Sequence, residues 1–191
     1  GALATLASAR ISLQEDIVLN VFFLHNGLSL AEIEQVVRLL DRFKSETKIQ
    51  FHEINLECFQ GYPKFWEKSS LLTYARLLLP DLIDESVDRL IYLDVDLLIM
   101  SSLFDLATIK LGETGVGACI EQIAPSIRFD DPPVHIKGKV NSSAPYFNAG
   151  LLVLDLSKLR KNRLFEHCMN LLAQPYAQEF KFHDQSGLNY I

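Results

Sequence analysis

The sequence has few cysteines, no long apolar run and no excess of basic residues, and each shortage weighs against a class of function. Its three cysteines, Cys58, Cys119 and Cys168, are odd in number, far apart and without a C-x-x-C pair. Neither a disulfide framework nor a zinc site is indicated, and reduced thiols fit a cytosolic setting. No stretch approaches the roughly 20 apolar residues that cross a bilayer, and no basic, apolar and small-residue signal pattern opens the chain. The chain reads as soluble and not exported. Eighteen Lys and Arg against 24 Asp and Glu give a net charge of −6, which argues against an electrostatic grip on nucleic acid or anionic lipid. Internal repeats and low-complexity tracts are absent as well.

What is present is apolar. Of 191 residues, 49% are hydrophobic, enough for one sizeable core in a single domain spanning residues 1–191. The chain opens on Gly1 rather than Met, and Ile191 stops a helical pattern part way; the expectation is a piece of a longer domain. Residues 2–10 read as a helix and 17–24 as a strand. Ser29 with Glu32 three positions later forms a capping box for a helix over about 29–45. A strand is expected over about 49–54, then a helix over 71–83 that is interrupted near Pro80. The clearest strand is RLIYLDVDLLI, 89–99. Residues 122–145 carry four prolines and little periodicity, which reads as a long loop of the kind that is often functional. A strand at 147–155 and a helix from near Ser157 follow. Strands alternating with helices, with near-continuous apolar runs at 90–99 and 147–154, predict an α/β fold. Its mostly parallel, Rossmann-like central sheet is flanked by helices on both faces. In such sheets ligands bind beyond the carboxyl ends of the strands.

Polar residues that interrupt or end these runs are therefore the candidates. Strand alternation puts Asp94 and Asp96 on one face with Leu90 and Tyr92. Two close like charges on an apolar strand call for a compensating cation, and oxygen-only ligands favour Mg²⁺ or Mn²⁺ over zinc. The ordinary alternative is a pair of solvated acids capping a turn. In YFNAGLLVLDL, Asn148 can donate to and accept from sugar hydroxyls, while Ala149 and Gly150 let a ligand approach the backbone. A turn entering a buried strand explains the same residues. In FHDQSGLN, Asp184 precedes Gln185 and is equally a helix N-cap. Arg76, alone among apolar neighbours, either meets a phosphate bidentately or snorkels to water.

Four segments in this order, LLTYARLLLPDLI, RLIYLDVDLLI, YFNAGLLVLDL and HDQSGLN, resemble glycosyltransferase family 8, the group of bacterial lipopolysaccharide galactosyl- and glucosyltransferases and the glycogenins. They look like the family's Y-A-R-L helix, metal-binding D-x-D strand, F-N-[AS]-G strand and D-Q-D-x-L-N segment, and the similarity runs from about residue 3 to 191. The resemblance implies a GT-A type fold and a retaining hexosyltransferase. It would take glucose or galactose from a UDP-sugar to a carbohydrate or glycolipid hydroxyl, in lipopolysaccharide or other cell-surface glycan synthesis, using Mn²⁺ or Mg²⁺. By the same resemblance Asp94 and Asp96 hold the metal and Arg76 lies near the donor. Asn148, Ala149, Gly150 and Asp184 line the donor site, with Asp184 and Gln185 catalytic and Gln185 close to the anomeric carbon. The enzyme would be cytoplasmic, at the inner face of the membrane where flanking segments provide contact.

Two departures stand out. Ser186 occupies the place of the second Asp in D-Q-D. The family's opening strand, which receives the uridine, and its later H-x-x-G-x-x-K-P-W segment have no counterpart here. The competing readings are a haloacid-dehalogenase-like phosphatase, whose D-x-D wants Thr or Val where Leu98 stands, and a sugar-nucleotide binding fragment without catalysis.

Overall fold

The computed structural model describes residues 1–64 and 70–191. Along the chain run α1 (Ala2–Ile11), β1 (Leu19–His25), α2 (Leu30–Leu40) and β2 (Thr47–Glu53). After 3₁₀ turns at Leu56–Phe59 and Leu71–Leu78 come α3 (Leu79–Leu82), β3 (Arg89–Leu93), α4 (Leu103–Thr108), β4 (Val116–Ile120) and α5 (Val134–Lys137). The chain continues with β5 (Phe147–Asp155), α6 (Leu156–Asn162), α7 (Leu164–Leu172) and α8 (Asp184–Asn189). Contacts divide it into two compact units, residues 1–55 with 93–110 and residues 56–92 with 111–191.

The first unit is built on a parallel pair, β1 with β2, in register from Leu19 opposite Thr47 to His25 opposite Glu53. α2 makes the crossover between them. Its capping box is formed as the sequence predicts, with Ser29 accepting from the Glu32 backbone and Glu32 bonding back to Ser29. The helix stops at Leu40 rather than near 45, because the next bonds tighten to 3₁₀ type, Arg42 to Leu39 at 3.3 Å and Phe43 to Leu40 at 3.1 Å. Arg10, only 2% exposed, donates to the carbonyls of Ile17 (2.7 Å) and Gln14 (2.6 Å) and clamps the end of α1 to the approach of β1.

In the second unit the strand order is β3-β5-β4, with β4 antiparallel to β5. The apolar runs point to the α/β class, but burial on both faces does not encode direction, and β4 departs from the parallel expectation. Residues 71–78 coil as a 3₁₀ helix where an α-helix is expected, and Pro80 falls in the first turn of α3, where its missing N–H costs nothing. The helix expected from Ser157 is two helices, broken by Arg163 in the left-handed conformation at φ 54°. The expected loop at 122–145 contains a 3₁₀ turn at Ile127–Phe129 and the short α5. Leu152, Leu154, Leu156, Leu159, Phe165 and Leu172 form the core of this unit, each at most 2% exposed. α8 lies flush on α7 there. A Cβ on Gly187 would meet Leu172 Cδ2 at 2.9 Å, so a larger residue there would have to push the Leu172 side chain aside.

Candidate active site

β3 ends at Leu93, where the chain enters the first unit, so the expected strand over 89–99 is about half its predicted length. Asp94 and Asp96 lie just beyond that end, in a turn where Asp94 is half-buried and Asp96 exposed. Strand alternation therefore does not set their directions, and that expectation is corrected. The reason is visible in the bonds that follow. Thr5 Oγ1 donates to the Leu97 carbonyl at 2.8 Å and Ser8 Oγ accepts from the Ile99 N–H at 3.0 Å. The hydroxyls of α1 hold this segment in place of a neighbouring strand, and they thereby anchor the acidic turn from behind. Gly1 also approaches closely, since a Cβ there would lie 2.9 Å from the Val95 carbonyl. Among the described residues no group of three or more His, Cys, Asp and Glu side chains is placed to hold a metal ion.

In the second unit Arg76, Ala149, Asp184 and Gln185 come together. Arg76 is buried, 3% exposed, which overturns snorkelling. Its Nη1 donates to the Ala149 carbonyl. Nε donates to the Thr73 carbonyl at 2.9 Å and pairs with Asp184 Oδ2 at 3.4 Å. Nη2 reaches Thr73 Oγ1 at 3.2 Å, and the guanidinium carbon lies 4.5 Å from the centre of the Tyr92 ring. Thr73 Oγ1 in turn donates to Asp184 Oδ2 at 3.0 Å. Asp184 is the first residue of α8 and His183 holds the cap position, so the N-cap reading of Asp184 fails. His183 is itself strained, at φ 52° and ψ −109°, a region in which non-glycine residues persist only when their surroundings impose it.

Gln185 Oε1 accepts the Ala149 N–H at 2.9 Å. Both backbone groups of Ala149 are thus taken by the side chains of Arg76 and Gln185. The register explains why those groups are available. Ala118 pairs with Leu152 but Cys119 pairs with Asn148, so Ala149, Gly150 and Leu151 bulge out of the ladder to β4, and the small residues expected to admit a ligand sit in that bulge. Asn148 is exposed, and its Oδ1 accepts the Gly150 N–H at 2.8 Å while its Nδ2 donates to Glu121 Oε2 at 2.9 Å. Hydrogen bonds from Asn148, the Ile123 backbone and Gln185 hold the Glu121 carboxyl below its ordinary value of 4.5. Ser186 is fully buried beside Tyr146, with Oγ 3.4 Å from the phenol, and it accepts the Phe182 N–H at 2.9 Å. Cys168 behind α8 is buried, which pushes its thiol up, with the Asp184 charge adding to the effect.

Sequence reasoning missed Thr73, Tyr92 and Glu121. Thr73 stands three residues before Arg76, on the same side of the 3₁₀ turn, and Tyr92 shares the apolar run of β3. Glu121 directly follows the run VGACI, an acid at a strand end, which is the pattern that singled out Asp94.

The sequence profile of Glycosyl transferase family 8 matches residues 1–191. A putative glycosyltransferase of Haemophilus influenzae is 31% identical over 150 residues, covering 75% of this chain and 42% of the relative. The lipopolysaccharide 1,2-glucosyltransferase of Escherichia coli is 26% identical over 166 residues, covering 83% of this chain and 44% of that one. The chain thus spans less than half the length of these curated relatives. Among solved structures, galactosyltransferase LgtC in complex with donor and acceptor sugar analogs superposes with a TM-score of 0.77 at 29% identity, covering 98% of this chain and 66% of that one. With a GT-A type fold and a profile match from end to end, the chain belongs to glycosyl transferase family 8.

Proposed function

We propose that this chain is the core of a retaining, metal-dependent glycosyltransferase that moves glucose or galactose from a UDP-sugar to an acceptor hydroxyl, in lipopolysaccharide or related glycan synthesis. The observation that carries the reading is the frame around Ala149, in which Arg76, Asp184 and Gln185 are fixed to a bulged strand and to one another. Together with the family match and the sugar transferases among its relatives, it supports a preorganised sugar site. Arg76 is too buried to meet a phosphate. Its role is to hold the Asp184 carboxylate in place beside the bulged strand, where that carboxylate would accept sugar hydroxyls. Asn148 supplies an amide donor, and Gln185, a poor nucleophile, favours front-face attack over a covalent intermediate.

Asp94 and Asp96 form a donor set of two carboxylates one residue apart at a strand end. That set would suit a hard Mn²⁺ or Mg²⁺ ion, held by Asp94 and Asp96. Such an ion supplies neutralisation of the charge that develops on the UDP leaving group. The α1 hydroxyls behind the turn keep the two acids in place for it. Among the described residues no helix is long and apolar enough to cross a membrane.

The test is UDP release by the complete protein from UDP-glucose and UDP-galactose, with Mn²⁺ and with chelator. Metal-dependent release from either sugar is expected. Release of phosphate from simple esters without any response to UDP-sugars would replace this reading with the phosphatase one.

A further inference from the structure

Glu121 stands at a junction of hydrogen bonds that determine how the Asn148 amide points. Its backbone N–H donates to the Tyr146 carbonyl at 2.8 Å, which fixes the residue at the end of β4. Its Oε1 accepts the Ile123 N–H at 3.2 Å and its Oε2 accepts Asn148 Nδ2 at 2.9 Å, while the nearby Gln185 amide helps hold the carboxyl in its charged form. The other end of each amide is committed to the bulge, Asn148 Oδ1 to Gly150 N–H and Gln185 Oε1 to Ala149 N–H. A carboxylate only accepts, so the Asn148 amide must face it with nitrogen. We propose that Glu121 is a positioning residue that fixes the orientation of the Asn148 amide, leaving its second N–H for a hydroxyl oxygen of the bound sugar. Its importance for transfer rests on the glycosyltransferase reading above, whereas its grip on the Asn148 amide does not.

Glu121→Gln puts an NH₂ where a carboxylate oxygen stood. That group meets the Asn148 NH₂, and if the Asn148 amide flips to avoid it, its nitrogen then opposes the Gly150 N–H of the bulge. Asn148→Asp alone places two carboxylates against each other. The pair Glu121→Gln with Asn148→Asp restores the polarity, because the carboxylate introduced at position 148 accepts both from the amide introduced at position 121 and from the Gly150 N–H. In the complete protein, Glu121→Gln is expected to lower kcat about tenfold with KM for the donor little changed, in line with loss of one exposed charge-assisted hydrogen bond. The double variant should be more active than Asn148→Asp. In denaturant unfolding it should recover midpoint lost by the two single variants, a coupling measured without any turnover. Losses that simply add, in unfolding and in kcat alike, would overturn the proposal. If no UDP-sugar is turned over by the unmodified protein, the unfolding cycle still decides it.

Discussion

The acidic turn after β3 and the frame around Ala149 are built in opposite ways. Asp94 and Asp96 sit on a short turn, one half-buried and one exposed, supported from behind by hydroxyls on backbone atoms of residues 97 and 99. Arg76 and Asp184 are buried, with side-chain exposures of 4% and 12%, and bond to each other and to their neighbours. A carboxylate at the surface, as on Asp96, can meet a ligand that brings its own charge. A buried ion pair is already neutralised and serves to hold geometry. On the proposed function, cation binding belongs to the first region and sugar positioning to the second, and substitutions in each should fail differently.

The largest effect is expected at the acidic turn. Asp94→Asn and Asp96→Asn each remove one charged ligand from a hard cation. Mn²⁺-dependent UDP binding should be lost and turnover should fall about a thousandfold or more, while the unfolding midpoint stays close to that of the unmodified protein. Calorimetric titration of UDP with and without Mn²⁺ reads the first effect. Unchanged metal-dependent affinity in both variants ends the assignment.

Arg76→Met should do the reverse, acting on stability before chemistry. It leaves the Asp184 carboxylate buried without its cation and the Ala149 carbonyl without its donor, a loss of about 3–5 kcal/mol for a broken buried pair. Denaturant unfolding measures it. A loss below about 1 kcal/mol, typical of surface pairs, would mean that the frame does not depend on this cation.

Asp184→Asn keeps shape and one acceptor oxygen, so it should sharpen the contrast by separating binding from rate. UDP affinity should remain nearly intact while kcat drops by about two orders of magnitude, with Gln185→Ala following the same pattern less severely. Full turnover by the Asp184 variant would return the residue to a purely structural role.

How much of this was legible in the sequence follows from the range of the forces involved. The capping box at Ser29 and Glu32 is local, and so is the apolar run of β5; both appear where they were expected. The 3₁₀ geometry of 71–78 was not legible, since short 3₁₀ and α segments share nearly the same spacing of apolar residues. The end of β3 was hidden because residues 97 and 99 take their partners from α1, about ninety positions earlier. The burial of Arg76 depends on Thr73 and Asp184, themselves 111 residues apart. Glu121 carries a visible signal at the end of an apolar run, but its pairing with Asn148 was hidden because the two meet only through the shifted register of β4 against β5.

The smallest effect is expected at His183, between the frame and the chain that leads into it. Its backbone lies at φ 52°, where glycine is at ease and a side chain is not. Burial pushes its imidazole below the ordinary value of 6.5, and the opposing pull of the Asp184 charge does not restore it. Below about pH 6.5 the unfolded chain therefore binds a proton at this site more readily than the folded one does. The stability tied to neutral His183 is fully present above that pH and is lost as pH falls toward the lower folded value. His183→Gly removes the titration and relaxes the backbone together. The unmodified protein should lose more of its denaturant midpoint than His183→Gly between about pH 7.5 and about pH 5, the other histidines cancelling in the difference. The frame should then tolerate acid better without its imidazole neighbour, although the acidic turn is unchanged in the variant. Equal slopes in the two proteins would show that the proton binds His183 alike in both states, and the strain would have to be explained by backbone geometry alone.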